Sequence, residues 1–282
     1  MVFEPALEEM DERGHVIYGP TSFRDYVARY GIETSGRTPR YISVDALREL
    51  SPELRAADVM VLRMGSASEG TGTQFLLVQA LEDLEEFFLV DEAIFSRDEP
   101  SEYDPPIESE KLLSFQLLPT LSETSLINLA LASGLLCDVL ELDTTGSLMP
   151  PATGRSTFSF DVRPHSSVIE TYEHRTGQVE VDTLFAEKRD GETVLFVIEA
   201  KTGTDRPTLA KHKLVYPALA MADSVPPEIE IVPLYLRCTQ ADGRMTFKIV
   251  ECDLHDPREE LPGVDELEAS QSHTAQLNLD VL

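Results

Sequence analysis

One β-hairpin constrains this chain more than any other stretch of its sequence. Residues 177–201, GQVEVDTLFAEKRDGETVLFVIEAK, hold two strand-like runs on either side of the pair Asp190-Gly191. An Asp-Gly pair between such runs is one of the strongest local signals for a two-residue turn. The register that follows from this turn places Asp182 directly opposite Glu199. Like charges so placed destabilise a sheet, so the hairpin calls for a compensating group.

Side chains alternate along a strand, so Glu180 shares a face with Asp182, and Lys201 shares a face with Glu199. The same register sets Glu180 opposite Lys201. A divalent cation would compensate the acids, since Mg²⁺ prefers one or two carboxylates together with water and phosphate oxygens. We therefore expect Asp182 and Glu199 to hold Mg²⁺, with Mn²⁺ as a substitute. Lys201 would polarise or deprotonate an attacking water, or steady the charge that develops on phosphorus.

The alternative interpretation of the hairpin is a solvated, charged sheet face in which Glu180 and Lys201 pair across the strands. The run VLFVI, which precedes Glu199, is apolar at every position and is typical of a strand buried on both faces. Charged residues at the end of a buried strand favour a functional site.

The segments VEVDTLF and VLFVIEAKTG closely resemble the PD-(D/E)xK nuclease superfamily, and the resemblance covers roughly Ser122 to Cys252. It implies a restriction-endonuclease-like core, with helices around a central mixed β-sheet in the order α-β-β-β-α-β. Catalytic Asp182 would lie on the second core strand, and Glu199 and Lys201 on the third. The implied activity is a metal-dependent DNA endonuclease of restriction or defence type, with a repair or recombination nuclease as the alternative. A homodimer and a methyltransferase partner are both open.

Further site residues follow from this resemblance. Glu123, at the start of the first core helix, and Glu180 are candidate accessory acids. In KLVYP, Lys213 stands where restriction-type members often carry Gln; it is either a phosphate contact or a surface lysine. Lys211 and His212 complete a local basic patch, KHK, that we expect to face the DNA backbone.

The net charge of −28, from 51 acidic and 23 basic residues, opposes binding to a polyanion. It is typical of a salt-rich cytoplasm, as in a halophilic archaeon, where molar salt shortens the Debye length to about 3 Å. A DNA-mimicking inhibitor or a binding module without catalysis is the alternative class. The chain shows no apolar run long enough for a membrane span and no signal peptide, so we expect a cytoplasmic protein without membrane contact.

Composition divides the chain into four parts: an N-terminal α+β module (1–96), an acidic linker (97–110), the nuclease domain (111–253) and an acidic, disordered tail (254–282). In the module, helices are predicted at Ser22–Tyr30 and Ser43–Leu50. The stretch from Arg24 to Arg63 contains seven arginines and six acidic residues. It is the one long stretch of the chain that would not repel a polyanion. This is either a mixed surface or a target-reading module of helix-turn-helix or winged-helix type. The fold class predicted is α/β, α+β overall.

Overall fold

A large mixed β-sheet forms the centre of the molecule, and helices flank it. The computed structural model describes residues 1–67, 72–95, 100–118, 120–143, 150–205, 207–241 and 244–278. The helices are α1 (Glu4–Arg13), α2 (Phe23–Tyr30), α3 (Pro39–Ile42), α4 (Pro52–Ala56), α5 (Asp91–Ile94), α6 (Leu113–Gln116), α7 (Glu123–Ala132), α8 (Leu135–Val139) and α9 (His212–Ala222). Short 3₁₀ helices occur at Leu47–Glu49, Leu84–Phe87, Ser109–Leu112 and Val264–Glu266.

The strands are β1 (Ile17–Ser22), β2 (Val59–Ser66), β3 (Thr73–Gln79), β4 (Phe88–Val90), β5 (Ser101–Tyr103), β6 (Ala152–Val162), β7 (Tyr172–Arg189), β8 (Glu192–Thr202), β9 (Thr208–Ala210), β10 (Glu230–Ala241), β11 (Arg244–Asp253) and β12 (Glu268–Asn278). In the main sheet they run in the order β1-β3-β2-β7-β8-β10-β11-β12-β5, with β6 beside β7; β4 pairs with β9 separately. β7 and β8 are antiparallel, whereas β8 and β10 are parallel with α9 between them in the chain. The prediction of a mixed sheet with flanking helices is confirmed.

Alternation along β8 sends its side chains to two different cores. Phe196, Ile198 and Ala200 pack in a cluster with residues of α7 and α8, such as Ile127 and Leu135. The opposite face of the sheet packs on α9 and on the N-terminal third of the chain. Glu199 and Lys201 therefore belong to the face that α9 covers.

The N-terminal residues and α9 share one hydrophobic core. Phe75 and Phe87 are buried in the same cluster as Leu214 and Val215 of α9. The sheet is continuous as well, because β2 pairs in parallel with β7 at Gly65 and Arg175. A Cβ at Gly65, whose φ is +77°, would lie 2.3 Å from the Arg175 carbonyl oxygen, so this close approach requires glycine. The N-terminal third thus packs directly against the strands that carry the hairpin.

The predictions of a free linker and a disordered tail were wrong for two strands. Within the linker, Ser101–Tyr103 forms β5, and within the tail Glu268–Asn278 forms β12, which pairs with both β11 and β5. β12 has the sequence EASQSHTAQLN, in which few apolar residues reveal its alternation. Main-chain hydrogen bonds to β11 hold it in place. Such hydrogen bonds cannot be inferred from the acidic composition of the segment.

One predicted helix is absent in the N-terminal region. Ser22 caps α2 as expected, but residues 43–46 are not helical and are followed by the 3₁₀ helix Leu47–Glu49. Ile42, Val44 and Ala46 are buried in alternation, which is the period of a strand and not of a helix. The helix-turn-helix interpretation therefore lacks its second helix. In the described part of the chain, no helix is long and apolar enough to cross a bilayer.

Candidate active site

The β7–β8 hairpin has the predicted register along its paired length. Asp190 and Gly191 both have positive φ, 53° and 83°, as a type I′ turn requires. Pairing then runs from Arg189 opposite Glu192 to Thr183 opposite Ile198. The register inferred from the turn is confirmed over this span.

The ladder ends one residue short of the predicted carboxylate pair. Asp182 is the next residue of β7, and its Oδ2 accepts a hydrogen bond of 3.0 Å from the main-chain nitrogen of Ala200 on β8. Because the β7–β8 ladder ends at Thr183 opposite Ile198, Glu180 and Lys201 are not paired in it, and that predicted pairing was wrong; on the other edge of β7, Glu180 pairs with Arg155 of β6. A side-chain carboxylate thus bonds the β8 main chain where the ladder stops, and this tethers Asp182 to the end of β8.

Glu199 is the most buried acid of this region, with 2% of its surface exposed. Two lysines reach the same carboxylate oxygen: Lys201 Nζ donates to Glu199 Oε1 at 2.7 Å, and Lys213 Nζ lies 3.5 Å from it. A carboxylate this deep is tolerated only with such partners, because taking an unpaired charge out of water costs several kcal/mol. The sheet supplies Lys201 and α9 supplies Lys213.

Asp45 closes the cluster from the N-terminal third. Its Oδ1 lies 3.6 Å from Lys213 Nζ, so Lys213 bridges Asp45 and Glu199. The non-helical segment at residues 43–46 places it there, and the Asp45 carbonyl oxygen accepts a hydrogen bond from the Ala210 nitrogen at 2.8 Å. The sequence analysis missed Asp45. Its signal is the alternation of Ile42, Val44 and Ala46, which turns Asp45 away from the core.

Glu123, the predicted accessory acid, lies at the same end of β8. It begins α7, which Ser122 caps by accepting from the Ser125 nitrogen at 3.2 Å. Burial raises the pKa of Glu123, while the nearby Lys201 charge and a hydrogen bond from the Thr202 main chain oppose that rise. The helix start therefore adds a further carboxyl group beside Lys201.

The charges of the cluster depend on one another. Burial raises the pKa of Glu199 to about 7, and Asp182 adds to the rise, although Lys213 and Lys201 oppose it. Burial alone would lower the pKa of both Lys201 and Lys213, but the Glu199 carboxylate raises them above their ordinary value. The two lysines therefore stay charged, whereas Glu199 changes its charge near neutral pH.

The predicted basic patch is not exposed. Lys211 is buried, and its Nζ donates to the carbonyl oxygen of Asp265 at 2.6 Å. His212 is 8% exposed, and burial lowers its pKa to about 3, so it carries no charge at neutral pH. Both expectations were wrong because β9 and the start of α9 are packed inside the shared core. Of the three, Lys213 alone reaches the acidic cluster.

The donor set at the strand end is compatible with a hard divalent cation. In the described ranges, no three His, Cys, Asp or Glu side chains are arranged to hold a metal ion together. Mg²⁺, however, is commonly bound by one or two carboxylates and completes its shell with water and phosphate oxygens. Asp182 lies close enough to Glu199 to raise its pKa. These two carboxylates, one in the middle of β7 and one near the end of the neighbouring β8, fit that pattern.

Comparison with known proteins gives a family and no activity. Searches of curated proteins and of solved structures found no match. A model of a domain of unknown function, DUF6997, matches residues 93–267, more than half of the chain. The match includes Glu123, Asp182, Glu199, Lys201 and Lys213, whereas Asp45 lies outside it. The chain belongs to the DUF6997 family.

Proposed function

We propose that this chain is a metal-dependent DNA endonuclease of restriction or defence type, with Asp182, Glu199 and Lys201 as its catalytic residues. The observation that carries the proposal is the buried Glu199 carboxylate, held by two lysines at a strand end that Asp182 also reaches. A buried carboxylate with charged partners adds little to stability compared with apolar residues of the same volume, so its presence favours a chemical role.

Each residue has a definite task in phosphodiester hydrolysis. Asp182 and Glu199 would hold Mg²⁺, which when bound acts as a Lewis acid on the phosphoryl oxygens. Lys201 keeps its proton, because the adjacent carboxylate raises its pKa. Lys201 therefore acts as a fixed positive charge that stabilises the negative charge developing on the phosphate oxygens, and not as the base that takes a proton from water.

Lys213, on α9, would contact the substrate from the helix side of the cluster. Its ion pairs with Glu199 and Asp45 hold the Nζ in place, and its side chain keeps 19% of its surface exposed. A positioned ammonium group of this kind can bind a phosphate oxygen. This supports the phosphate-contact interpretation of Lys213 over that of a surface lysine.

The element order supports the resemblance to restriction-endonuclease-like nucleases. From α7 the chain runs through β6, β7, β8, α9 and β10, which is α-β-β-β-α-β apart from the short α8 and the short β9. Asp182 is on the second of these strands, and Glu199 with Lys201 on the third. The motif residues thus occur in the strand order that the resemblance implies.

Plasmid cleavage tests this proposal. Supercoiled DNA is incubated at about 1 M KCl, where distant acids are screened, with Mg²⁺, Mn²⁺ or EDTA. We expect nicking that requires a divalent cation and that is lost in Glu199→Ala and in Lys201→Ala. Metal-independent behaviour that is equal for the wild type and both variants would refute the proposal.

A further inference from the structure

Asp45 belongs to the charged cluster, although it comes from outside the family match at residues 93–267. Its Oδ1 lies 3.6 Å from Lys213 Nζ, and Lys213 Nζ lies 3.5 Å from Glu199 Oε1. Lys213 is thus held between two carboxylates, one from the N-terminal third and one from β8. The two carboxylates differ in what else they bind, and this difference indicates a separate task for Asp45.

The main chain fixes Asp45 from both sides. Its nitrogen donates a hydrogen bond of 2.9 Å to Glu49 Oε2, and its carbonyl oxygen accepts one of 2.8 Å from the Ala210 nitrogen. Two residues later, the Leu47 nitrogen donates to Thr208 Oγ1 at 2.9 Å. Both of these distant partners belong to β9, which comes directly before α9 in the chain. The carboxylate is therefore held at a defined position relative to the start of α9.

Glu199 has other partners for its carboxylate. Lys201 Nζ donates to Glu199 Oε1 at 2.7 Å, and Lys213 approaches this same oxygen. Under the proposed function, Glu199 is also a ligand of the divalent cation, whose charge offsets the attraction of the carboxylate for a second lysine. Asp45 is not one of the proposed ligands, so its carboxylate remains with Lys213.

The contact between Asp45 and Lys213 joins two charged groups. Burial alone would raise the pKa of Asp45, but the charges of Lys213 and Lys201 lower it below its ordinary value. Burial alone would lower the pKa of Lys213, but Glu199 and Asp45 raise it. The two side chains therefore form an ion pair at neutral pH.

A cavity of about 90 Å³ lies against this ion pair. Its wall contains two carboxylates and two cations, which are Asp45, Glu180, Arg63 and Lys213. These charges balance, so the cavity as a whole does not attract a phosphate group. Contact between Lys213 and a phosphate therefore depends on where its ammonium group is held.

We propose that Asp45 is a positioning residue, which holds the Lys213 ammonium group on a phosphate of the substrate while Glu199 holds the divalent cation. This role rests on the proposed nuclease function, and it means that residues before the family domain complete the active site. Asp45 acts through Lys213 and does not touch the reacting atoms.

The sign of one substitution separates positioning from simple electrostatics. Asp45→Asn removes a negative charge beside a polyanion, and charge alone predicts faster association with DNA and a higher kcat/KM. Positioning predicts the opposite, because Lys213 loses its anchor. We expect kcat/KM for plasmid cleavage to fall by about tenfold, the effect of one hydrogen bond to a charged group. Asp45→Glu keeps the carboxylate and should recover most of this loss.

A double-mutant cycle tests whether Asp45 acts through Lys213. In the Lys213→Met background, Asp45→Asn should change kcat/KM by less than about twofold, because the group that it positions is gone. Asp58→Asn is the control, since it neutralises an exposed acid of the same N-terminal third and should leave kcat/KM unchanged. Thermal unfolding checks that each variant is folded.

A second measurement needs neither DNA nor cleavage. Relaxation of ¹³C reports the mobility of each lysine Cε, and the chain contains six lysines. With Mg²⁺ present, Asp45→Asn should raise the mobility of Lys213 to that of the exposed Lys188, and Asp58→Asn should not. In EDTA, Glu199 still pairs with Lys213, so we expect a smaller increase.

The two proposals fail in different ways. Unchanged mobility of Lys213 in Asp45→Asn, or an equal loss of kcat/KM in the Lys213→Met background, would overturn the positioning role even if the wild type cleaves DNA. A mobile Lys213 in Asp45→Asn, with no cleavage by the wild type under any divalent cation, would support the positioning role and overturn the nuclease function. A mobile Lys213, together with a loss of cleavage that disappears in Lys213→Met, supports both.

Discussion

The two ends of the β7–β8 hairpin carry charged residues in very different surroundings. At the turn end, Arg189 pairs with Glu251 at 2.7 Å and lies 3.7 Å from Glu230, where its side chain is 22% exposed. At the other end, Glu199 is buried, and its carboxylate is reached by Lys201 and Lys213. The same two strands therefore contain an ordinary ion pair and a dense buried cluster.

Under the proposed function, the difference separates charges that stabilise the fold from charges that take part in chemistry. The Arg189–Glu251 pair joins one acid to one partly exposed arginine, and such a pair stabilises a sheet by a modest amount. The buried end contains more acids than cations, since Asp45, Glu123 and Asp182 surround the same two lysines. An excess of acid held in place by the fold is the condition in which a divalent cation binds.

The largest expected effect is the loss of cleavage in Lys201→Met. Removing one group that stabilises transition-state charge typically lowers a rate by roughly 100- to 1,000-fold. The control is Lys188→Met, an exposed lysine near the turn of the same hairpin. Single-turnover plasmid cleavage measures both, and thermal unfolding checks their folding. Equal rates in the two variants would remove the distinction between the ends of the hairpin.

A pH dependence of stability is the next effect in size. The folded state holds the pKa of Glu199 at about 7, above its ordinary value of 4.5. Its contribution to stability is therefore fully present below pH 4.5 and is lost as the pH rises through 7. Relative to Glu199→Gln, the wild type should lose up to about 3 kcal/mol of unfolding free energy over this range.

Urea unfolding of both proteins without divalent cations measures this change. The difference between them removes the pH dependence that both share, including the repulsion among surface acids. A difference that stays constant with pH, or that changes in the opposite direction, would show that Glu199 does not titrate as a buried acid.

The smallest expected effect is at the turn end. Arg189→Met removes the ion pair with Glu251, a carboxylate that is only 9% exposed, and should lower the free energy of unfolding by about 2 kcal/mol. Cleavage should be unchanged, since this pair lies at the far end of the hairpin from Glu199. Chemical denaturation and the plasmid assay measure the two quantities. A loss of cleavage in a folded Arg189→Met protein would extend the functional region to the turn.

Local chemistry made the hairpin predictable from the sequence. Asp190-Gly191 fixes both the turn and the register, and alternation then places Glu199 and Lys201 on one face. The end of the ladder at Thr183 was not predictable in this way. It depends on the Asp182 side chain, which takes the hydrogen bond of Ala200 that a main-chain partner would otherwise accept.

Contacts between distant parts of the chain account for what the sequence analysis missed. Asp45 reaches Lys213 only because the N-terminal third packs on α9. Lys211 looks like a surface residue in the sequence, but it is buried and donates a hydrogen bond to the carbonyl oxygen of Asp265, in a segment near the end of the chain. β12 follows the same rule, since β11 and β5 order it while its own composition indicates a loose tail.

The most direct test of the central claim is one substitution made at the two ends of the hairpin. Glu199→Gln and Glu251→Gln each replace a carboxylate by an amide of nearly the same shape. The measurement is the rate of Mg²⁺-dependent cleavage of supercoiled plasmid, with both proteins shown to be folded. We predict that cleavage is abolished in Glu199→Gln and retained in Glu251→Gln. Retention of wild-type cleavage in Glu199→Gln would contradict the assignment of this strand end as a nuclease site.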